Sequence, residues 1–337
     1  MVHVSILVPK GNAILSNVVG PFKVLMGANQ FLKQTGARKD DFFAVHLVGL
    51  EHDYSLYNGM FSIHCNSTIN DVEKTDLILI PALRPDKLAE DLEDNKDFVP
   101  WILNQRNKHN AEVASMCMGA FVLAQTGLVD GKQCATHWAA MEMFKAMFPK
   151  VNLVSNKIVT DEDGIYSSGG AFSFLNLMLH LVEKYCGRGT AIYISKFFEI
   201  DIDRVDQNQF AIFQGQKNHN DVAIKKAQKY IESNVEDKIS VEQLAKKYAI
   251  SSRNFVRRFK KATQNTPLEY IQRVKMEAAK RSLESTEQNV NEVMYGVGYA
   301  DQKAFRTVFK KYAGISPVAY RTKYNRSRVN FSRSTSW

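Results

Sequence analysis

The first part of this chain alternates short apolar runs with longer helical patterns. Apolar runs bounded by turn or charged residues lie at 4–9, 42–50, 76–83 and 111–116. Between them, residues 22–34 and 98–108 follow a helical pattern. Nearly continuous apolar strands that alternate with helices predict a mostly parallel sheet covered on both faces. We therefore expect an α/β domain.

The same part of the chain contains signals for hairpins and for further helices. Asn58 and Gly59 stand between alternating flanks, which is a strong hairpin signal, and a second hairpin is expected around 161–164. Further helices are expected at 120–126, at 139–148 and after Gly170.

The pattern changes near residue 200. The next twenty residues are polar and rich in Asp, Asn and Gln, and beyond them the strand pattern gives way to a helical period. The length of 337 residues also favours two domains. We predict an α/β domain at 1–200, a linker at 201–220, an all-α domain at 221–324 and a basic, disordered tail at 325–337.

Charge is distributed unevenly between the two parts. The net charge is +9, yet residues 1–218 carry 20 Lys and Arg against 24 Asp and Glu. Residues 219–337 carry 24 Lys and Arg against 11 Asp and Glu. Because basic charge concentrated on one segment attracts polyanions, we expect the C-terminal domain to bind nucleic acid.

The cysteines and the start of the chain argue against several other classes of protein. Cys65, Cys117, Cys134 and Cys186 are scattered, with neither a C-x-x-C pair nor a zinc-like spacing to histidine. We therefore expect free thiols and no metal or other cofactor. The sequence has no leader pattern and no apolar stretch of membrane length, which indicates a soluble, cytoplasmic protein.

Residues 240–263 predict two helices joined by a tight turn. Ser240 and Ser251 are expected to cap them. In the second helix, Phe255 and Phe259 share one face. The opposite face carries Arg253, Arg257 and Lys260. A basic face opposite an aromatic anchor suits a helix that lies in the DNA major groove.

The arrangement recurs at 291–314, where Phe305 and Phe309 share a face. The opposite face carries Lys303, Arg306 and Lys310. Between the two units, residues 266–286 have Pro267 at a first-turn position and run as one helix of about 18 residues, which spans ~27 Å. A rigid spacer of this length places both basic helices on one face of DNA, about one turn (~34 Å) apart.

Residues 221–324 resemble the DNA-binding domain of AraC-family transcription regulators. The resemblance rests on the tandem units, the connecting helix at 273–283, VGYAD at 297–301 and FKKYAGISPVAYR at 309–321. It implies base contacts by Arg253, Val256, Arg257, Gln302, Lys303, Arg306 and Thr307. Contacts to phosphates are expected from Lys260, Lys261 and Lys310.

Two positions depart from the family pattern. Val256 stands where a polar, base-contacting residue is usual, so it is expected to give only thymine-methyl or packing contacts. Ala249 occupies the turn position where glycine is common. The alternative for the basic residues is an ordinary solvated surface.

The string ASMCMGA at 114–120 places Cys117 on a tight turn between a strand and a helix. Together with LAQTGLVDGKQCATHW at 123–138 and SSGG at 167–170, it resembles the PfpI-like domain of the class I glutamine-amidotransferase-like fold, over roughly residues 2–190. The resemblance implies a flavodoxin-like α/β fold. It also implies an elbow cysteine whose thiolate is favoured by a helix dipole.

Three departures from the hydrolytic relatives argue against catalysis. Met118 replaces the histidine that follows the cysteine, Asn17 replaces a supporting acid, and Pro81 begins a segment that replaces a Gly-Gly oxyanion turn. His137 is either a partner of the cysteine or a pocket-lining side chain. We therefore predict no enzyme but a ligand pocket at the carboxyl ends of the strands. Its expected lining is Asn17, Pro81, Cys117, Met118, His137 and Gly169.

These features together predict a ligand-responsive transcriptional regulator, and the resemblance favours activation over repression. The expected partners are promoter DNA, an unidentified small-molecule effector, a second copy of the chain bound through the α/β domain, and RNA polymerase. Two alternatives stay open: a cysteine-dependent hydrolase or glyoxalase-like enzyme with an accessory DNA-binding domain, and a structural nucleoid protein without sequence preference. Redox sensing by Cys117 is a further, minor hypothesis.

Overall fold

The chain divides into two units. The computed structural model describes residues 1–11, 13–154, 156–204 and 206–325. The N-terminal unit is Met1–Gln207, and the C-terminal unit begins at Asn208. The segment 201–220, expected to be a linker, is thus shared between the two units. Except for Asn325, the expected tail lies outside the described residues.

The N-terminal unit is built on a seven-stranded sheet of order β10-β11-β7-β6-β1-β2-β5. Its strands are β1 Val2–Val8, β2 Phe43–Gly49, β5 Ser67–Thr68, β6 Leu77–Ile80, β7 Glu112–Met116, β10 Val159–Glu162 and β11 Ile165–Ser168. All neighbours are parallel except β10 and β11. The central strand β1 pairs Val4 with Val45 on one side and with Leu77 on the other.

Smaller ladders flank this sheet. β3 Asp53–Leu56 and β4 Phe61–His64 form an antiparallel hairpin, and β8 Gln133–Cys134 pairs in parallel with β9 Asn152–Leu153. Both predicted hairpins are present. Asp163 and Gly164 form a two-residue turn in which both residues have positive φ, as such turns require. The other hairpin closes through the four-residue loop 57–60, in which Tyr57, Asn58 and Gly59 have positive φ.

Among the described residues of this unit, seven α-helices cover the two faces of the sheet. They are α1 Ser16–Gln34, α2 Leu88–Asp94, α3 Phe98–His109, α4 Ala120–Gln125, α5 Met141–Met147, α6 Phe174–Cys186 and α7 Arg188–Phe197. Ile6 of β1 points to the core under α1, α6 and α7, whereas the adjacent Leu7 points to the core under α2 to α5. Strands β1, β6, β7 and β11 are mostly buried on both sides. The helix-covered, mostly parallel sheet confirms the predicted flavodoxin-like α/β fold.

The helix bounds differ from the predictions at particular residues. Helix α1 begins at Ser16 rather than at residue 22, with Pro21 accommodated inside it. The predicted helix at 139–148 starts instead with a 3₁₀ turn at Trp138–Ala140. Helices α2 and α7 had no predicted counterpart.

The C-terminal unit is all helical over its described residues, as predicted. Its helices are α8 Val222–Ser233, α9 Val241–Lys247, α10 Ser252–Thr263, α11 Pro267–Ser285, α12 Val290–Gly296, α13 Gln302–Ala313 and α14 Pro317–Tyr324. In the part of the chain that the structure describes, no helix combines the length and the apolar composition that crossing a bilayer requires.

Two small cores share helix α11, which we call the strut. Phe255 and Phe259 of α10 pack in one core with the N-terminal half of the strut. Phe305 and Phe309 of α13 pack in the other core with its C-terminal half. Because each core is too small to be closed by its own two or three helices, the strut fixes how the two helix-turn-helix units face.

Side-chain caps set the starts of most of these helices. Ser240 accepts from the backbone N–H of Gln243, whose side chain accepts in return from Ser240 N–H, which is the predicted capping box. Asp301 caps α13 through the N–H of Ala304 at 2.6 Å. The prediction for Ser251 is wrong, since it occupies the N-cap position of α10 but its side chain accepts no capping hydrogen bond.

A buried lysine ties the two helix-turn-helix units together. Lys275, in the middle of the strut, is 6% exposed. Its Nζ donates to the carbonyls of Val235 at 2.7 Å, Asp237 at 2.9 Å and Val297 at 2.7 Å. The first two carbonyls follow α8 and the third follows α12. Burial lowers the pKa of Lys275, and the three carbonyls satisfy its three donors.

The turn between α9 and α10 stores backbone strain that a substitution should release. Ala249 there has φ +52°, in the left-handed region that disfavours alanine. We expect Ala249→Gly to raise the free energy of unfolding by about 1 kcal/mol. Urea denaturation followed by circular dichroism measures this change.

Gly298→Ala is the matched control, because Gly298 follows the C-cap of α12 as Ala249 follows that of α9, and has φ +69°. A Cβ at Gly298 would lie 2.3 Å from Glu236 O and 2.7 Å from Lys275 Nζ. This variant should therefore lose more stability than Ala249→Gly gains. An unchanged or lower stability of Ala249→Gly would contradict the strain assigned to this turn.

Candidate nucleic-acid interface and elbow crevice

The first reading helix, α10, has one aromatic face and one basic face. Phe255 and Phe259 are fully buried on the core side. Arg253, Arg257, Lys260 and Lys261 are exposed, and Val256 is half-buried. The guanidinium of Arg257 donates to Asn254 Oδ1 at 2.9 Å on the same helix, so it stays at the surface. The predicted reading residues are thus directed away from the core.

Arg258 is the exception on this helix. Its Nε and Nη2 donate to the two carboxylate oxygens of Asp221, at 2.8 Å and 2.7 Å. The pair with Arg258 holds the pKa of Asp221 below its usual value, and Asp221 also caps α8 through the N–H of Ile224. Arg258 therefore anchors the reading helix to α8. Sequence reasoning missed this pair, because the two residues are 37 positions apart.

The second reading helix, α13, repeats the pattern. Phe305 and Phe309 are buried. The predicted contact residues Gln302, Lys303, Arg306, Thr307 and Lys310 are all exposed. Neither reading helix contains an acidic residue. The two exposed faces are therefore positively charged along their whole length, which is the electrostatic requirement for approach to a phosphate backbone.

The elbow in the N-terminal unit has the strained geometry of a nucleophile turn. Strand β7 ends at Met116, and Cys117 follows with φ +54° at the start of a 3₁₀ turn, Cys117–Gly119, that leads into α4. The turn lies tightly against the end of β6. A Cβ at Gly119 would meet the carbonyl oxygens of Ile80 and Pro81 at 2.5 Å each.

Burial leaves the elbow thiol without activation. Cys117 is 7% exposed, and burial raises the pKa of its thiol to about 12, with only a partial offset from the backbone N–H of Met118. Among the described residues, no acidic or basic side chain affects this pKa. The thiolate that the family resemblance implied is therefore wrong for this chain, because desolvation outweighs the helix dipole.

We use the name elbow crevice for the site formed by the predicted lining residues Asn17, Pro81, Cys117, Met118, His137 and Gly169. Asn17 Oδ1 accepts from Ala82 N–H at 3.3 Å, next to Pro81, and Asn17 is 1% exposed. Thr136 Oγ1 donates to Cys117 O at 2.9 Å and brings the adjacent His137 toward the elbow. The strand ends thus bring most of the predicted lining together.

His137 itself has a structural role. It is half-buried, burial lowers its pKa, and its Nδ1 accepts the N–H of Ala139 at the start of the 3₁₀ turn that precedes α5. A neutral imidazole with one nitrogen committed to a cap is poorly placed to act as a general base for Cys117.

A glutamine that sequence reasoning did not select lies in the crevice beside Gly169. Gln207 is 1% exposed, and its Oε1 accepts the N–H of Gly170 at 3.1 Å. Its Nε2 donates to Thr136 O at 3.4 Å. A Cβ added to Gly169 would lie 2.4 Å from Gln207 Oε1. Gln207 therefore fills the space beside Gly169.

The N-terminal unit also has a cleft lined by a different set of residues. It encloses about 350 Å³ between α6, the start of α7 and the segment that follows it. Cationic and acidic side chains line it, including Lys157, His180, Glu183, Arg188 and Arg204. None of the predicted ligand-binding residues is in this lining.

Comparisons with known proteins match both units. The DJ-1/PfpI family model matches residues 17–184, and a helix-turn-helix domain model matches residues 244–323. The HTH-type transcriptional regulator GbdR of Pseudomonas aeruginosa is 26% identical over 216 residues, 64% of this chain and 59% of GbdR. The alignment thus covers less than two thirds of that relative. CdhR, an HTH-type transcriptional regulator of the same species, is 23% identical over 282 residues, 82% of this chain and 81% of CdhR.

A solved structure shares the fold of the N-terminal part. A putative transcriptional regulator protein from Vibrio parahaemolyticus superposes with a TM-score of 0.51 at 22% sequence identity, over 58% of this chain and 98% of that chain. At this identity the likeness concerns the fold alone.

The high pKa of Cys117 predicts low reactivity. In the folded chain at pH 7, we expect iodoacetamide to alkylate Cys117 at least about 100-fold more slowly than in urea, because almost no thiolate is present and the sulfur is buried. Peptide mass spectrometry measures both rates. The half-buried Cys186 is the internal control and should react faster than Cys117. Faster labelling of Cys117 in the folded chain than in the unfolded chain would contradict the neutral thiol.

Proposed function

The chain joins a DJ-1/PfpI-family domain to a helix-turn-helix domain of the AraC type, and we propose that it is a sequence-specific transcriptional regulator controlled by a small molecule. The observation that carries this proposal is the pair of exposed basic faces on α10 and α13, each opposite a buried Phe pair and both attached to one strut. Two such helices suit consecutive major-groove segments of one duplex.

The exposed residues divide into two functional groups. Arg253, Arg257 and Arg306 are exposed, and their guanidinium groups suit bidentate contacts to guanine, whereas Gln302 suits contacts to adenine. The lysines at the helix ends suit phosphates. Val256, half-buried against the core, contributes at most an apolar contact to thymine.

The N-terminal unit is proposed to sense an effector without turning it over. A neutral, buried thiol and a histidine committed to capping support binding rather than catalysis. Because the proposed partner is promoter DNA, the protein would act in the cytoplasm. A second copy of the chain and RNA polymerase are proposed as further partners, and activation is the proposed direction of control.

The DNA-reading roles are tested by single substitutions in the full chain. A preferred duplex is first selected from a randomised library. Arg253→Ala or Arg257→Ala should weaken binding to this duplex by about 1–3 kcal/mol and leave non-specific binding nearly unchanged, because each removes a base contact. Fluorescence anisotropy with selected and scrambled duplexes measures both affinities.

Lys261→Ala is the matched control on the same helix. It should weaken both duplexes about equally and reduce the slope of log affinity against log salt by about 1, because it removes a phosphate contact. If the two arginine variants also lost both affinities in proportion, the division between base and phosphate contacts would be wrong.

The effector site is tested in two steps. A thermal-shift screen of metabolites first identifies a ligand, and substitutions then show where it binds. We expect Met118→Ala and Gly169→Ala to reduce the ligand-induced rise in unfolding temperature, because both change the elbow crevice. Arg188→Ala, in the separate cleft, serves as the control and should keep the full rise. The opposite pattern would place the effector in the cleft.

A further inference from the structure

The first segment of the C-terminal unit is attached to the strut by buried charges. We call residues 208–219, which precede α8, the strap. Glu277 and Lys280 lie one turn apart on the strut, are 8% and 4% exposed, and pair at 2.7 Å. Neither residue belongs to the reading faces, and their burial needs an explanation because charges seldom lie inside a protein unless paired and hydrogen-bonded.

The strap backbone supplies the missing partners of this pair. Phe213 N–H donates to Glu277 Oε2 at 3.1 Å. Lys280 Nζ donates to Ala211 O at 2.6 Å as well as to Glu277. Each charge therefore has one partner on the strut and one on the strap, and the pair is covered only while the strap is seated.

The two ends of the strap contact different helix-turn-helix units. Gln209 accepts from Lys323 Nζ at 2.6 Å through its side chain and from Tyr324 OH at 3.2 Å through its carbonyl, both on α14. Gln216 O accepts from Gln228 Nε2 of α8 at 2.7 Å. The strap thus contacts both helix-turn-helix units of the C-terminal unit.

The middle of the strap contacts two residues of the strut, and each of these contacts a reading helix. The Phe213 ring packs edge-to-face on Tyr270 at 5.2 Å, and Tyr270 packs in the same way on Phe259 of α10 at 5.3 Å. Arg273 lies over the Phe213 ring at 5.2 Å and over Tyr312 of α13 at 5.7 Å. A change at Phe213 is therefore two contacts from either reading helix.

The strap also follows directly in sequence on a residue of the elbow crevice. Asn208, its first residue, follows Gln207, whose side chain fills the crevice beside Gly169. A ligand that takes this space must move the side chain of Gln207, and one peptide bond joins Gln207 to the strap.

We propose that the strap transmits the effector signal: displacement of Gln207 from the elbow crevice unseats residues 208–219 from Glu277 and Lys280 and alters the setting of the two reading helices. The seated strap holds the DNA-competent arrangement. This inference rests on the proposed function, because it assumes an effector and a preferred DNA sequence.

Hydrogen exchange in the full chain tests the relay without an effector. Gly169→Ala places a Cβ 2.4 Å from Gln207 Oε1 and so mimics the ligand, whereas Gly189→Ala adds a Cβ in the same unit with no atom within 4 Å. We expect amides of the strap, above all that of Phe213, to exchange about tenfold faster in Gly169→Ala and at the original rate in Gly189→Ala. Gln207→Ala is the second variant and should act like Gly169→Ala.

A double variant tests the anchor itself. Glu277→Leu with Lys280→Met keeps the volume and helix propensity of the strut but removes both strap partners, and apolar replacement of a buried pair is compatible with folding. It too should speed strap exchange about tenfold and weaken binding to the selected duplex about fivefold, with non-specific binding unchanged.

The outcomes separate this inference from the proposed function. Faster strap exchange in the double variant together with unchanged exchange in both Gly169→Ala and Gln207→Ala would overturn the relay. Faster exchange with unchanged affinity for the selected duplex would overturn the role of the strap in DNA binding. If the wild-type chain selected no sequence at all, the proposed function would fail, whereas the exchange rates would still show whether the strap is seated.

Discussion

The C-terminal unit depends on a single shared helix. The two Phe pairs of the reading helices are buried only because the strut offers one half of its length to each. Burying these aromatic rings fixes the rotation of α10 and α13 about their own axes, and that rotation turns Arg253, Arg257 and Arg306 outward. Lys275 then donates to carbonyls in the loops that follow α8 and α12. Neither helix-turn-helix unit can therefore rotate on its own without leaving buried polar groups unsatisfied.

The N-terminal unit combines a strained elbow with a buried thiol. Its elbow keeps the positive φ of Cys117 and the close approach of Gly119 to the end of β6. The charges that would activate a thiol are absent from the described surroundings of the sulfur, and burial dominates its pKa. The side chain of Gln207 fills the adjoining space beside Gly169.

Local patterns in the sequence predict most of the fold, whereas long-range contacts decide the rest. Apolar runs locate β1, β2, β6 and β7, and a turn signal locates the hairpin of β10 and β11. The capping box at Ser240 is readable because its partner is three residues away. The roles of consecutive arginines are harder to predict, since only the three-dimensional pairing with Asp221 distinguishes Arg258 from Arg257. The same holds for Gln207, a polar residue in an apparently featureless linker whose burial depends on Gly169 and Thr136. The thiolate expectation failed because a helix dipole is readable from sequence but the burial of one sulfur is not.

Hydroxyl-radical footprinting of the full chain on a selected duplex tests the central claim most directly. If α10 and α13 enter consecutive major-groove segments from one strut, the footprint should contain two protected regions on the same face, about 10 base pairs apart. A single protected region, or two regions on opposite faces of the duplex, would contradict the arrangement of the reading helices on the strut.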